Sequence, residues 1–301
     1  MSNAYRITQR TVSSTMMNGL QSNLSRLQKL QEQLSSGKQV SRPSDSPVKT
    51  VEALQFRSGI RRTEQYVRNA DDGLAALGLA DEALSDGLDM TRSARGLVLQ
   101  GMNDTVNAEG RAALAAEIRS LRDGLVGVAN TRYLDRPVFG GNSAAADAYS
   151  GTGVYQGDQG EVLRTVGSGV QVAVNVPGDA VFGADGDPTQ LFAVLDELAN
   201  ALEDGSATMH GRLTTGLAGL DKAIDRVISL LGGIGARTNR LETVKSSAEG
   251  QLISLANSLS EVEDIDLPKT IVDLQMQEVA YKAALGATAR VVQPSLLDFL
   301  R

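Results

Sequence analysis

The chain has 301 residues, 42% of them hydrophobic, with a formal net charge of −7, one histidine and no cysteine. The missing cysteine excludes disulfides, thiolate metal sites and cysteine nucleophiles, and the acidic balance argues against non-specific binding to nucleic acid or anionic membranes. Five Phe, six Tyr and no Trp are few for a compact enzyme; the apolar content is Leu, Val and Ala, which pack helices.

The opening stretch MSNAYRITQRTVSSTMMNGL has no apolar run that fits a signal-peptide core. No window of the chain supplies the roughly 18 apolar residues of a membrane span. Within residues 1–40, Met17, Leu20, Leu24, Leu27 and Leu34 follow steps of three and four, with Gln31 interrupting, so this arm reads as an amphipathic helix. SSGKQVSRPSDSPV (35–48) breaks it. Gly37 suits a helix C-terminus, Pro43 disfavours helix just before it, and Ser46-Pro47 reads as an N-cap followed by a first-turn proline.

A second helix is expected over Pro47–Met102, with Leu74, Leu77, Leu84, Leu88 and Val98 on one seam. A third is expected over Ala108–Thr131, with Leu114, Ile118, Leu121, Leu125 and Val128 facing one way. The texture then changes. Residues 139–186 are rich in Gly and Asp, and in VQVAVNV the residues Val170, Val172, Val174 and Val176 alternate as in a half-buried strand. VLRTV is its expected partner across a turn at Gly167-Ser168-Gly169. Helix resumes in GDPTQLFAVLDELANALEDG, with Asp187 expected as N-cap and Pro188 just inside.

The strongest pattern lies between Leu213 and Val262. Alternate steps of four and three land on Leu217, Leu220, Ile224, Val227, Leu231, Ile234, Thr238, Leu241, Lys245, Ala248, Leu252, Leu255 and Leu259 on the way. All but Thr238 and Lys245 are apolar, which predicts one long helix with a coiled-coil seam. The last helix repeats the spacing at Leu267, Ile271, Leu274, Tyr281, Leu285 and Val292, with Glu278 and Thr288 as polar exceptions. The chain closes on SLLDFLR, where Leu296, Leu297, Phe299 and Leu300 are four large apolar side chains in five residues.

Neither terminal arm has apolar neighbours enough to bury its stripe alone. Both are expected to be loosely ordered in an isolated copy and to order on assembly. Charge favours pairing them: residues 1–40 hold Arg6, Arg10, Arg26, Lys29 and Lys38 against Glu32, whereas residues 257–301 hold seven acids against Lys269, Lys282, Arg290 and Arg301. The expected architecture is mainly α: an elongated rod of long antiparallel, coiled-coil-like helices from both chain ends, with a small β-rich insertion. The expected divisions are assembly arms at 1–42 and 263–301, rod segments at 43–138 and 187–262, and the insertion at 139–186.

No catalytic constellation stands out, and no cofactor, metal or small-molecule substrate is expected. His210 lacks triad or metal partners in sequence. GGIGAR (232–237) lies inside the heptad pattern and reads as a flexible or closely packed point in a helix rather than a phosphate loop. The acids Glu261, Glu263, Asp264 and Asp266 do not have EF-hand spacing and fit helix-dipole and charge-pairing roles. Asp71-Asp72 reads as a solvated pair. The acidic, Leu-rich terminal helix fits a protein partner better than a membrane surface.

Three blocks carry a family resemblance: RITQRTVSSTMMNGLQSNLSRLQKLQEQLSSGKQVSRPSDSPV (6–48), LLGGIGARTNRLE (230–242) and the terminal SLSEVEDIDLPKTIVDLQMQEVAYKAALGATARVVQPSLLDFLR (258–301). They resemble the bacterial flagellin superfamily over both helical arms. RPSDSP, YQGDQGE and QPSLLDFL resemble its hook–filament junction branch more than filament-forming flagellin, which is the close alternative. A helical adhesin or binding module is the rival from another class.

The resemblance implies a non-enzymatic axial subunit outside the cell, exported by the flagellar type III apparatus without a cleaved signal. It implies contacts with further copies of itself, with hook-associated protein 1, with flagellin and with an export chaperone. It places the assembly interface on Met17, Leu20, Leu24, Leu27 and Leu34, and on Ile271, Leu274, Tyr281, Leu285, Val292, Leu296, Leu297, Phe299 and Leu300. The second set is also the expected chaperone contact.

Overall fold

The computed structural model describes residues 9–292. In chain order the elements are α1 (Gln9–Ser36), α2 (Pro47–Gly101), α3 (Ala108–Ala129), β1 (Arg132–Tyr133), β2 (Arg136–Pro137), β3 (Leu163–Gly167), β4 (Val170–Ala173), α4 (Gly178–Phe182), α5 (Leu191–Asp204), α6 (Met209–Glu263) and α7 (Leu267–Val292). The protein is mainly α with a small β insertion. Its described residues form two units: a terminal one, through Arg61 and again from Leu252 onward, and a middle one, Arg62–Gln251.

In the middle unit, α2 and α6 run antiparallel in a constant register. Lys245 Nζ meets Asp71 at 2.6 Å and Arg95 Nε meets Asp221 at 2.7 Å, so 24 residues forward on α2 match 24 residues back on α6. The heptad positions Leu213, Leu220, Val227, Ile234, Leu241 and Ala248 of α6 are buried, and the intervening Leu217, Ile224, Leu231, Thr238 and Lys245 are half-buried. Seam residues Leu77, Leu84, Leu88 and Val98 of α2 meet them in one core with Leu114, Ile118 and Leu125 of α3. Gly73 allows the closest approach: a Cβ there would lie 3.0 Å from Leu241 and 2.8 Å from Val174. By contrast, nothing lies within 4 Å of a Cβ built on Gly232, Gly233 or Gly235, so in GGIGAR it is Ile234 that packs and not the glycines.

The insertion has two small antiparallel hairpins, β1–β2 and β3–β4. β3–β4 turns at Gly169, with φ of 73°, as the Gly-Ser-Gly signal predicts. Asp72 of α2 anchors both hairpins: it accepts from Arg164 Nε at 2.6 Å and from the Tyr133 hydroxyl at 3.0 Å. Asp71 and Asp72 are therefore both engaged, and the reading of a merely solvated pair is corrected. An aromatic cluster of Phe139, Tyr149, Tyr155, Phe182 and Phe192 fills the insertion, with neighbouring ring centroids 5.1–5.7 Å apart. Burial there pushes the Tyr155 hydroxyl up to about 12 and raises that of Tyr149 as well.

Two local expectations are corrected. α5 begins at Leu191, and its cap is Gln190, whose side chain accepts the Ala193 N–H at 2.6 Å. Asp187 instead accepts the Thr189 N–H and hydroxyl at 2.7 and 2.8 Å, which closes a turn before the helix. The β1–β2 turn places Leu134 and Asp135 at φ of 48° and 61°, where Asn-Gly is the preferred pair. Leu134 is 76% exposed, so it gains little burial in return. Replacing Leu134-Asp135 with Asn-Gly is expected to stabilise the middle unit by about 1–2 kcal/mol, read as a higher urea midpoint; a lower midpoint would contradict the strain.

Candidate assembly interface

The terminal unit is built around the breaks at the inner ends of its two arm helices. α1 stops at Gly37, which takes φ of 71°. α2 restarts at Pro47 behind Ser46, whose hydroxyl accepts the Lys49 N–H at 3.4 Å. α6 stops at Glu263, and α7 starts after Asp266, whose carboxylate accepts the Lys269 N–H at 3.1 Å. The two breaks are hydrogen-bonded to each other. Gln39 N–H donates to Glu263 O at 2.6 Å and Ile265 N–H to Gly37 O at 3.1 Å, an antiparallel bridge around Lys38 and Asp264.

Glu263 fastens this joint from within. Its side chain is 7% exposed and lies 3.0 Å from Lys38 Nζ and 2.7 Å from Arg57. On the other side of the loop, Asp45 accepts the Arg42 N–H at 3.0 Å and lies 3.1 Å from Lys29 Nζ. These partners, the Arg42 N–H foremost, hold the Asp45 carboxyl below its ordinary range. The acid cluster thus works by charge pairing at Glu263 and by capping at Asp266. His210 lies apart in the middle unit, 3.3 Å from the Met102 carbonyl and 3.2 Å from Asp104.

Beyond the joint, α1 and α7 pack on each other. α1 and α7 are each continuous helices, and each lends the other half a seam. On α1, Leu20, Leu27 and Leu34 are half-buried, whereas Met17 and Leu24, the other half of the alternation, are exposed. On α7, Leu274, Tyr281 and Thr288 are half-buried, whereas Ile271 and Leu285 are exposed. Gln277 Nε2 reaches the Asn23 carbonyl and side-chain oxygens, each at 3.2 Å. Val292 is the last residue of α7, and Leu296, Leu297, Phe299 and Leu300 lie outside the described residues.

Among the described residues, no ion pair links α1 to α7 along their length. Among the described residues, Lys29 and Glu32 pair with Asp45 and Arg42 in the adjoining loop, and the opposite charges meet at Lys38 and Glu263. Other apolar surface was not singled out from the sequence. Val272, Met276 and Val279 form an exposed stripe on the side of α7 away from Leu274 and Tyr281, and Val48, Val51 and Leu54 form another on the first turns of α2. Ile253 of α6 is also exposed. Spacings of four and three (272, 276, 279) carried the α7 signal; the stripe was overshadowed by the stronger seam on the same helix.

Residues 7–142 match the bacterial flagellin N-terminal helical region. Over those residues the chain is similar to flagellin-like proteins. It is 26% identical over 291 residues to the flagellar hook-associated protein 3 of Escherichia coli, covering 90% of this chain and 92% of that one. The flagellin of Bacillus subtilis is 27% identical over 310 residues, covering 98% of this chain and all of that one. A solved structure of a putative flagellar hook-associated protein from Vibrio parahaemolyticus shares the fold at a TM-score of 0.68 with 20% identity, over 73% of this chain and all of that one.

Proposed function

We propose that the chain is the structural adaptor that joins the flagellar hook to the filament, assembling through its terminal helices. The observation that carries this is the half-used seam. α1 and α7 cover Leu20, Leu27, Leu274 and Tyr281 between them and leave Met17, Leu24, Ile271 and Leu285 in water. Exposed apolar side chains concentrated on one unit mark an interaction surface. Closing them against further copies recovers about 25 cal/mol per Å² buried.

The arms are the assembly segments, with Val292, Leu296, Leu297, Phe299 and Leu300 continuing the C-terminal interface, and the insertion lies outside it. The neighbours are hook-associated protein 1 on the hook side and flagellin on the filament side. A chaperone covers the C-terminal arm before export, and export proceeds without a cleaved signal. The role is mechanical rather than enzymatic. Cells lacking the protein are expected, by electron microscopy, to retain hooks and shed filaments into the medium. Intact attached filaments would refute the adaptor role. The full-length likeness to Bacillus subtilis flagellin favours a second reading, a filament subunit, and that reading predicts hooks with no filament material at all.

A further inference from the structure

A pocket of about 110 Å³ opens in the middle unit between α2 and the two hairpins, walled by Ala76, Pro137, Val138, Gly141, Val162 and Val174. Val138 and Val174 are buried, so its inner wall is apolar. Its polar lining is spent with one exception. The Tyr133 hydroxyl and Arg164 Nε both donate to Asp72, at 3.0 and 2.6 Å. Asn175 accepts the Val162 N–H at 2.8 Å and donates to the Gly160 carbonyl at 2.9 Å. Of these side chains Arg136 alone has no hydrogen-bond or ion-pair partner among the described residues, not even Asp135 beside it. We infer that this pocket binds a small aliphatic carboxylate, with its carbon body between the valines and its carboxylate on Arg136. The site lies within the middle unit and does not depend on the adaptor reading.

Size, charge and the state of the mouth carry the assignment. An apolar cavity of about 150 Å³ holds benzene, so about 110 Å³ takes a branched body of about four or five carbons. One free guanidinium beside apolar walls selects a single carboxylate, the partner its planar fork matches best. A dicarboxylate finds no second free cation in the lining, and a neutral hydrocarbon leaves Arg136 unused. The mouth is strained: Leu134 and Asp135 keep φ of 48° and 61°, and Leu134 stands exposed. Strain of this kind persists at ligand clamps, and a bound aliphatic body gives Leu134 the apolar contact it otherwise lacks. Leu134 is the one exposed large apolar side chain in the lining, too little for a protein interface, which buries about 800 Å² on each side. A free acid therefore fits the pocket better than a protein surface.

The test is methyl-resolved NMR of the full-length protein with isovalerate as the probe and isovaleramide, its neutral isostere, as the control. Saturable shifts are expected at the methyls of Val138, Val162 and Val174. The amide should bind about three- to fivefold more weakly than the acid, the worth of one partly exposed ion pair. Arg136→Gln, an exposed position, should erase that preference without disturbing the fold. Ala76→Leu fills the pocket and should abolish binding of both probes. Replacing Leu134-Asp135 with Asn-Gly should raise the urea midpoint yet weaken the acid, a split that a turn kept only for the fold would not show. The assignment is overturned if the three valines ignore isovalerate, if acid and amide bind the parent equally, or if any of the three variants binds as the parent does. A dipeptide, acetyl-leucyl-aspartate amide, that shifts the same methyls where isovalerate does not would make the pocket a contact for another polypeptide and overturn the free-acid assignment as well.

Discussion

Met17→Asp together with Leu24→Asp is expected to abolish incorporation into the flagellum while leaving the isolated chain as stable as the parent. Both side chains are already exposed, at 57% and 37%, so the folded monomer loses little when they become polar. In an assembly that covers them, each gives up about 1.5–3 kcal/mol of apolar burial. The pair then costs roughly 3–6 kcal/mol per contact, a hundredfold or more in association. Two buried carboxylates add a desolvation cost on top. The comparison that isolates the effect is Leu20→Asp with Leu27→Asp, on the half-buried side of the same helix. That variant should loosen the α1–α7 pair itself and lower helix content by circular dichroism. Parent-like motility in the Met17/Leu24 variant would show that the open half of the seam is not an interface.

The long elements were legible because their cause is local. The alternation from Leu213 to Val262 needs no knowledge of a partner, and all fifteen positions are buried or half-buried in α6. The Gly-Ser-Gly turn with Val170 and Val172 specified β3–β4 in the same way, but β4 ends at Ala173, and Val174, Asn175 and Val176 beyond it are buried in a row, so the expected alternation does not continue to Val176. What sequence could not give was the pairing of distant groups. Nothing near Asp72 announces that it gathers Arg164 and Tyr133, which lie 92 and 61 residues away. Asp187 and Gln190 compete for the same helix start, and proline next to Asp187 made the wrong one look better. Residues 1–40 and 257–301 showed opposite charge, yet only the fold reveals that Lys29, Glu32, Lys38 and Glu263 are spent at the joint and in its loops, while apolar half-seams align the helices. The open sides of α2 and α7 were missed because three apolar residues over two turns are a weak signal until burial separates one face from another.

Glu263 is where distant pairing matters most, and Glu263→Ala is expected to undo the joint. The carboxylate is 7% exposed and holds Lys38 at 3.0 Å and Arg57 at 2.7 Å, so its removal leaves two cations facing each other beside the Gln39–Glu263 and Gly37–Ile265 backbone bonds. Stripping one partner from a fully buried ion pair costs about 3–5 kcal/mol. Here the cations are 42% and 43% exposed and recover water, which brings the expected loss to about 1–3 kcal/mol. That is a large share of the stability of a unit with few fully buried side chains among its described residues, and a small one for the middle unit. Hydrogen exchange should therefore rise at residues 37–46 and 264–266 while the α2–α6 core of residues 62–251 keeps its protection. Glu263→Gln separates charge from packing, since the amide keeps the shape and an acceptor but loses the attraction to both cations; it should fall between parent and Glu263→Ala. Equal protection at the joint in all three proteins would mean that the backbone bridge alone holds the two breaks together and that Glu263 fastens nothing.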